Sequence, residues 1–308
     1  MRRAAALLTI ASAASCHDSV ATTHPAVSAK ERSAAAVRSV DASTGDFGSA
    51  AVFGDDPPCI SSRHRLGEGL TAERRALDAV PAARVEPCFD VVRADSARYQ
   101  LTMLTKAHDG GSSQPAPAWR ERFHLVAVTN AGMFHASGKP VGMVIDDGTQ
   151  LSKDHPQFAG YHAFDPTTTG DAPIVIAGRD CPNFDLADLR RRYRSILQTN
   201  RLLGCAGEAL PWKDPKQYSA AAFGLDRDGN PVFIHARAAV TMSELATAVA
   251  ALDLAGAMFL EGGPEATLVV RGSEGELSRV GSYETGFVEH DENRSYYWLP
   301  NVLALEAK

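Results

Sequence analysis

Three apolar stretches of the chain run into polar residues flanked by small ones: HLVAVT into Asn130-Ala131-Gly132, PVFI into His235-Ala236-Arg237, and AMFL into Glu261-Gly262-Gly263. Short runs rich in Val, Ile, Leu and Phe and closed by glycine read as buried strands. A polar group at a strand end reaches solvent where a mid-strand group does not. The stretch Glu261-Gly262-Gly263-Pro264-Glu265 sets two carboxylates around a bare backbone turn. Its glycines let a ligand approach the main chain and bond to its N–H groups. Each residue also has a plainer reading: Glu261 as a solvated turn residue, Asn130 and Gly132 as turn formers, His135 and His235 as hydrogen-bonded structural histidines.

The elements that must position these groups are legible around them. AAAFGLDRDGNPVFIHA reads as two strands joined at Asp226-Arg227-Asp228-Gly229-Asn230; this acidic turn lacks the oxygen-ligand pattern of a calcium loop. Thr241-Met242-Ser243-Glu244 has the spacing of a capping box. The helix it opens continues through Leu245, Val249 and Leu252 to a stop at Gly256, and AMFLE follows as a strand. Strand, helix and strand in that order predict a parallel βαβ unit with a right-handed crossover. Its strands would deliver His235, Arg237 and Glu261 to one sheet edge, joined by Asn130 if its own strand runs parallel.

Earlier in the chain, Val91 to Leu104 alternates like a strand pair, and VGMVIDDGTQL has a hairpin turn at Asp147-Gly148. Asn183 to Gln198 spaces Leu186, Leu189, Tyr193 and Ile196 or Leu197 on one helical face. Arg190, Arg191, Arg192 and Arg194 lie on the other, as a solvated face or a phosphate-facing patch. The predicted fold class is α+β, a single domain with a mixed β-sheet and packed helices.

The net charge of −6 and a pI near 5.9 give no footprint for polyanion binding, which argues against a nucleic-acid partner. Arg2-Arg3 followed by an apolar stretch to about Ala14 is a signal-peptide layout, too short to span a bilayer. Cys16 stands where a lipoprotein signal is cut and acylated; a soluble signal peptide cut nearby is the alternative. Residues 17–58, rich in Ala, Ser, Thr, Val and Asp, read as a disordered tether, and 59–308 as the folded domain. This layout predicts export to the periplasm, to a membrane-anchored state or to the medium. Cys59, Cys88, Cys181 and Cys205 then imply two disulfides among three connectivities, with Cys59–Cys88 and Cys181–Cys205 favoured because short loops close readily. No zinc spacing, GxSxG elbow, HExxH, Walker loop or GxGxxG occurs, and neither cofactor nor metal is expected.

Taken in order, NAGMF with Pro140-Val141-Gly142 and Asp147-Gly148, then Gln198-Thr199-Asn200, AAAFGLDRDGNPVFIH and TMSELATAVAALDLAGAMFLEGGPEATLVVRG resemble the phosphodiester glycosidase family from about Leu125 to Gly272. The resemblance aligns Asn130 and Gly132 with that family's Asn-Gly-Gly-Phe-like segment. Gly224 closes its second motif, and Glu261, Gly262 and Gly263 match its Asp-Gly-Gly-Gly-Ser segment. The sequence departs from the family at Glu261, Pro264 and Glu265, and Ala220-Ala221 stand for an Arg-Thr pair, which weakens the phosphodiester expectation more than the fold. The activity implied is hydrolysis of a glycosidic bond in a sugar 1-phosphodiester or related envelope glycan. In that reading Glu261 is nucleophile or base and Glu265 its partner. Asn130, Gly132, Gly262 and Gly263 hold the sugar, while His235 or Arg237 orients the departing anion. The rival class is a noncatalytic envelope module binding a glycan or protein through the same cleft.

Overall fold

The computed structural model describes residues 59–77 and 88–308, so the predicted leader, Cys16 and the tether lie outside the described residues. Sixteen strands follow in order: β1 (Ser62–Gly67), β2 (Leu70–Ala76), β3 (Cys88–Ala94), β4 (Tyr99–Thr105), β5 (Ala127–Asn130), β6 (Val144–Asp146), β7 (Thr149–Ser152), β8 (Gly160–Pro166), β9 (Ile174–Gly178), β10 (Tyr193–Thr199), β11 (Gln217–Asp226), β12 (Pro231–Thr241), β13 (Leu254–Gly262), β14 (Thr267–Arg271), β15 (Glu276–Val280) and β16 (Asn301–Ala307). Three α-helices accompany them: α1 (Ala116–Arg122), α2 (Leu186–Arg192) and α3 (Met242–Ala250).

The strands form three sheets, in the orders β1-β2-β3-β12-β11-β13, β7-β6-β10-β8-β9 and β15-β14-β5-β16-β4. Strand alternation gives each sheet two faces. One face of each meets a common core, where Val92, Phe223 and Phe233 of the first sheet pack with Phe164 and Leu197 of the second and Leu268 and Leu303 of the third. The opposite faces are covered separately. Leu245 and Val249 of α3 close the first sheet, Leu189 of α2 the second and Trp119 of α1 the third. Each large side chain buried in this way stabilises the fold by about 1.5–3 kcal/mol.

The fold is α+β, dominated by sheet, and every pairing between these strands is antiparallel. This corrects the expected mixed sheet and parallel βαβ unit. β12 and β13 run in the same direction, but β11 lies between them and pairs antiparallel with both. Helix α3 therefore crosses over a neighbour that the hairpin had already supplied. The capping box forms, with Thr241 Oγ1 accepting from Glu244 N and a Glu244 carboxylate oxygen accepting from Thr241 N. The helix ends at Ala250 rather than Gly256, which lies inside β13; the chain turns instead at Asp253, whose φ is 53°.

Other local readings divide the same way. The Asp147-Gly148 hairpin forms, with φ of 43° and 79° at its two residues, as a type I′ turn requires. The β11–β12 turn forms, and Asp226 Oδ1 accepts from Asp228 N and Asn230 N, so its carboxylate closes the turn. Val91 to Leu104 does hold two strands, but β3 and β4 enter different sheets. The expected helix from Asn183 to Gln198 stops at Arg192, and Tyr193 onward is β10, drawn into the second sheet between β6 and β8. The arginines there are a solvated, paired face: Arg191 bonds to Asp188, Arg192 to Asp171 at 2.6 Å and Arg194 to Asp165 at 2.9 Å.

Both favoured disulfides are present, Cys59–Cys88 and Cys181–Cys205. The first ties the start of the described chain to β3.

Candidate active site

Antiparallel register aligns four residues across the first sheet. Asp90 of β3 faces His235 of β12, His235 faces Ala221 of β11, and Ala221 faces Glu261 of β13. Directly paired residues project to the same face, here the face turned to the common core. His235 and Glu261 are thus two strands apart, about 10 Å between backbones. Ala221 between them contributes only a methyl group. His235 is not at a strand end, since β12 continues to Thr241; it is a mid-strand residue with no exposed surface.

What gathers the remaining groups is the segment 261–267, which leaves the first sheet after Gly262 and enters the third at Thr267. Gly262 N–H donates to Glu261 Oε1 at 3.1 Å. Gly263 has a φ of 73°, and a Cβ there would stand 2.6 Å from Glu284 Oε2 and 3.3 Å from Glu265 Oε2. Glycine is therefore needed twice over, for the left-handed backbone and for the room two carboxylates occupy. Gly262 lies against the Tyr218 side chain, which a Cβ would meet at 2.9 Å. Further along, Ala266 O lies 3.3 Å from His235 Nε2. Thr267 N–H donates to Asn130 Oδ1 at 3.2 Å. Asn130 is brought in from the third sheet, at the end of an antiparallel strand rather than a parallel one.

The bond from Thr267 N–H orients the Asn130 amide, while the single hydroxyl proton of Thr129 goes to Thr267 O at 2.6 Å. The Nδ2 end is then the free donor, and among the described residues it meets no acceptor although it is buried. Thr267 Oγ1 is likewise buried without a partner among the described residues. Asn130 and Thr267 lie on the outer face of the third sheet, by alternation with Val128 and Val269, which pack against Trp119. Gly132 follows with a φ of 70° and sits against Leu197.

His235 holds its proton only weakly. Burial lowers its pKa to about 4, against a smaller opposite pull from Asp90, whose carboxylate is clamped by Arg279 at 2.6 and 3.2 Å. The imidazole is therefore neutral near pH 7. With Nε2–H donating to Ala266 O, Nδ1 is an unprotonated acceptor with no partner among the described residues. The one N–H of a neutral His235, expected to orient a departing anion, is thus engaged with Ala266 O. Arg237 is also occupied: Nη1 donates to Val280 O at 2.8 Å, Nη2 to Asn293 O at 2.9 Å, and the Asp291 carboxylate stands 2.8 Å away. Its work in this structure is to pin the segment 280–293 to β12.

A cleft of about 460 Å³ opens beside Pro264, walled by Phe287, Val288, Tyr296 and Tyr297 and by the polar Arg294 and Glu292. Phe134 of the NAGMF stretch packs near Tyr297, ring centroids 6.2 Å apart. Glu284 and the cleft walls had no signal in the sequence, because 281–297 shows neither period nor motif. A metal does not fit the one cluster of suitable atoms found among the described residues, Asp180 with Cys181 and Cys205. Its two sulfurs are bonded to each other, and Arg201 donates to both Asp180 and Cys181 Sγ where a cation would sit.

The arrangement offers buried carboxylates at a bare turn, a neutral imidazole beneath it, an amide donor on the neighbouring sheet and a cleft with aromatic walls. Residues 123–297 match the family described as phosphodiester glycosidase. No curated protein shows a significant sequence match. Among solved structures, the catalytic domain of zebrafish N-acetylglucosamine-1-phosphodiester alpha-N-acetylglucosaminidase, auto-inhibited by its pro-peptide, aligns with a TM-score of 0.57 at 14% identity over 80% of this chain and 88% of that one. A hypothetical protein from Synechocystis aligns with a TM-score of 0.55 at 12% identity over 82% of this chain and 64% of that one. At these identities the structural likeness speaks to the fold.

Proposed function

The chain belongs to the phosphodiester glycosidase family, and from that premise we propose that it is an exported hydrolase cleaving the glycosidic bond of a sugar 1-phosphodiester or a related envelope glycan. The observation that carries the reading is Glu261, 2% exposed, near the end of β13 and beside the Gly262-Gly263 turn that leads to Pro264, a residue lining the cleft.

Breaking a bond between a sugar and phosphate builds positive character on the anomeric carbon, while the phosphate leaves as a weak base that needs little protonation. The demand on the protein is a carboxylate that stabilises an oxocarbenium-like centre and either attacks it or activates water. Glu261 takes that role. Glu265 and Glu284, converging on the bare face of Gly263, are the partners placed to hold or move a proton. The free Asn130 Nδ2 donates to a sugar oxygen, and Gly132, Gly262 and Gly263 leave room for close approach. His235, neutral, supports the turn from below through Ala266 O. Arg237 acts on the site by holding the segment that walls the cleft.

The folded unit is 59–308, carried behind a leader at 1–16 and a tether at 17–58, with attachment through a lipidated Cys16 or, if a soluble signal peptide is cut nearby, no anchor. Two disulfides in the described residues support an oxidising compartment outside the cytoplasm. The deciding experiment is release of sugar from a panel of sugar 1-phosphodiesters, with N-acetylglucosamine among the sugars, and of cell-wall glycans. Turnover by wild type that is lost in Glu261→Gln is the expected result. Tight glycan binding without any turnover would overturn it in favour of a binding module.

A further inference from the structure

A substrate carrying a phosphodiester brings a negative charge that some cation must meet, and the cations around the turn are nearly all engaged. Arg237 is held by Val280 O, Asn293 O and the Asp291 carboxylate. Arg279 grips Asp90 with two nitrogens. His235 is buried and uncharged near pH 7. Of the residues lining the cleft beside Pro264, Arg294 is the one with a permanent positive charge. Its Nη1 donates to Asp291 O at 2.9 Å and Asn293 O at 3.0 Å. Both are backbone carbonyls, and among the described residues no carboxylate pairs with it and nothing takes Nη2 or Nε.

From this we infer that Arg294 is the anion-binding residue of the site, donating from Nη2 and Nε to a phosphoryl oxygen of a substrate whose phosphate lies in the cleft. The inference rests on the glycosidase reading and deepens it, because it states which way the substrate lies. The sugar is at the Gly262-Gly263 turn and the phosphate on the far side of Pro264. The backbone bonds at Nη1 hold the guanidinium plane in place, which suits paired donation to a phosphate. The cleft volume of about 460 Å³ admits a group of that size. Phe287, 38% exposed, gives an apolar wall for the rest of the aglycone. Glu292 is the one acidic side chain lining the cleft; it is 85% exposed and paired loosely with His290 at 3.8 Å, so water screens its charge.

The test is binding, which separates it from turnover. Isothermal titration of the full chain with N-acetylglucosamine 1-phosphate and with N-acetylglucosamine reads the contribution of the phosphate directly. Wild type is expected to bind the phosphorylated sugar more tightly. Arg294→Gln should weaken that binding about ten- to a hundredfold, the scale of one charge-assisted hydrogen-bond pair. The neutral sugar should change less than about twofold, and Arg294→Lys should restore part of the loss. An unchanged circular dichroism spectrum would show that the variants fold. The inference is overturned if wild type does not distinguish the two sugars, or if Arg294→Gln binds the phosphorylated one as wild type does. A phosphate-dependent contrast in a protein that turns nothing over would leave Arg294 in place and sink the glycosidase reading instead.

Discussion

Glu261 is an acid placed where an apolar residue would pack without a polar group to satisfy, and a polar group kept there is expected to act on a reaction rather than on folding. Glutamine keeps the volume and can still accept from Gly262 N–H. Glu261→Gln should therefore leave the denaturation midpoint nearly unchanged while kcat falls by about two orders of magnitude or more, as for a positioned electrostatic group. Glu265→Gln should cost less, since it assists. Kinetics on any phosphodiester that wild type cleaves checks both, and an unchanged rate in Glu261→Gln would move the search to Glu265, Glu284 and His235.

At the scale of elements, the turn between β13 and β14 and the start of α3 make contrasting demands. Gly263→Ala forces a side chain into a left-handed backbone and against Glu284. Urea unfolding should show a loss of at least about 1 kcal/mol, and turnover should fall with it because the carboxylates must shift. Thr241→Ala removes the oxygen that accepts from Glu244 N and should cost about 1 kcal/mol, with kcat unchanged, since α3 covers the sheet face turned away from the site. The order of strands fits the hairpin: β11 and β12 are joined by a short turn and pair along one edge of β11, and β13, returning over α3, takes the other.

Across the whole molecule, two buried histidines make stability depend on pH. Burial lowers His162 to about 3 and His235 to about 4, both from an ordinary 6.5. The unfolded chain takes up protons below about 6.5 that the folded protein refuses. Stability is thus full above that value and falls as pH drops from 6.5 toward 4, by up to about 1.4 kcal/mol per pH unit for each histidine. Urea midpoints at pH 7, 5.5 and 4.5 should fall in that order. His162→Leu should flatten the slope, because His162 packs on Phe223 with neither ring nitrogen bonded among the described residues. The disulfides give a second check. Of five cysteines, four are bridged, so the denatured, unreduced chain should show no more than the single thiol of Cys16.

What the sequence determined by itself was local. The Asp147-Gly148 and Asp226–Asn230 turns, the Thr241 capping box, the strand ending at Asn130 and the two-disulfide pairing depend on residues near one another in the chain, through backbone sterics, short hydrogen bonds and loop closure. The motif around Glu261 was legible for the same reason. Tertiary structure decided which strands pair: it set β11 between β12 and β13, sent β3 and β4 to different sheets and turned the second half of an apparent helix into β10. Those outcomes depend on distant partners that compete for the same backbone groups, and no periodicity in one segment records them. The same holds for the site. Glu284 and Arg294 come from a stretch without pattern, and Glu284 meets Gly263, and Arg294 the cleft beside Pro264, only because the segment 262–267 passes from one sheet to another.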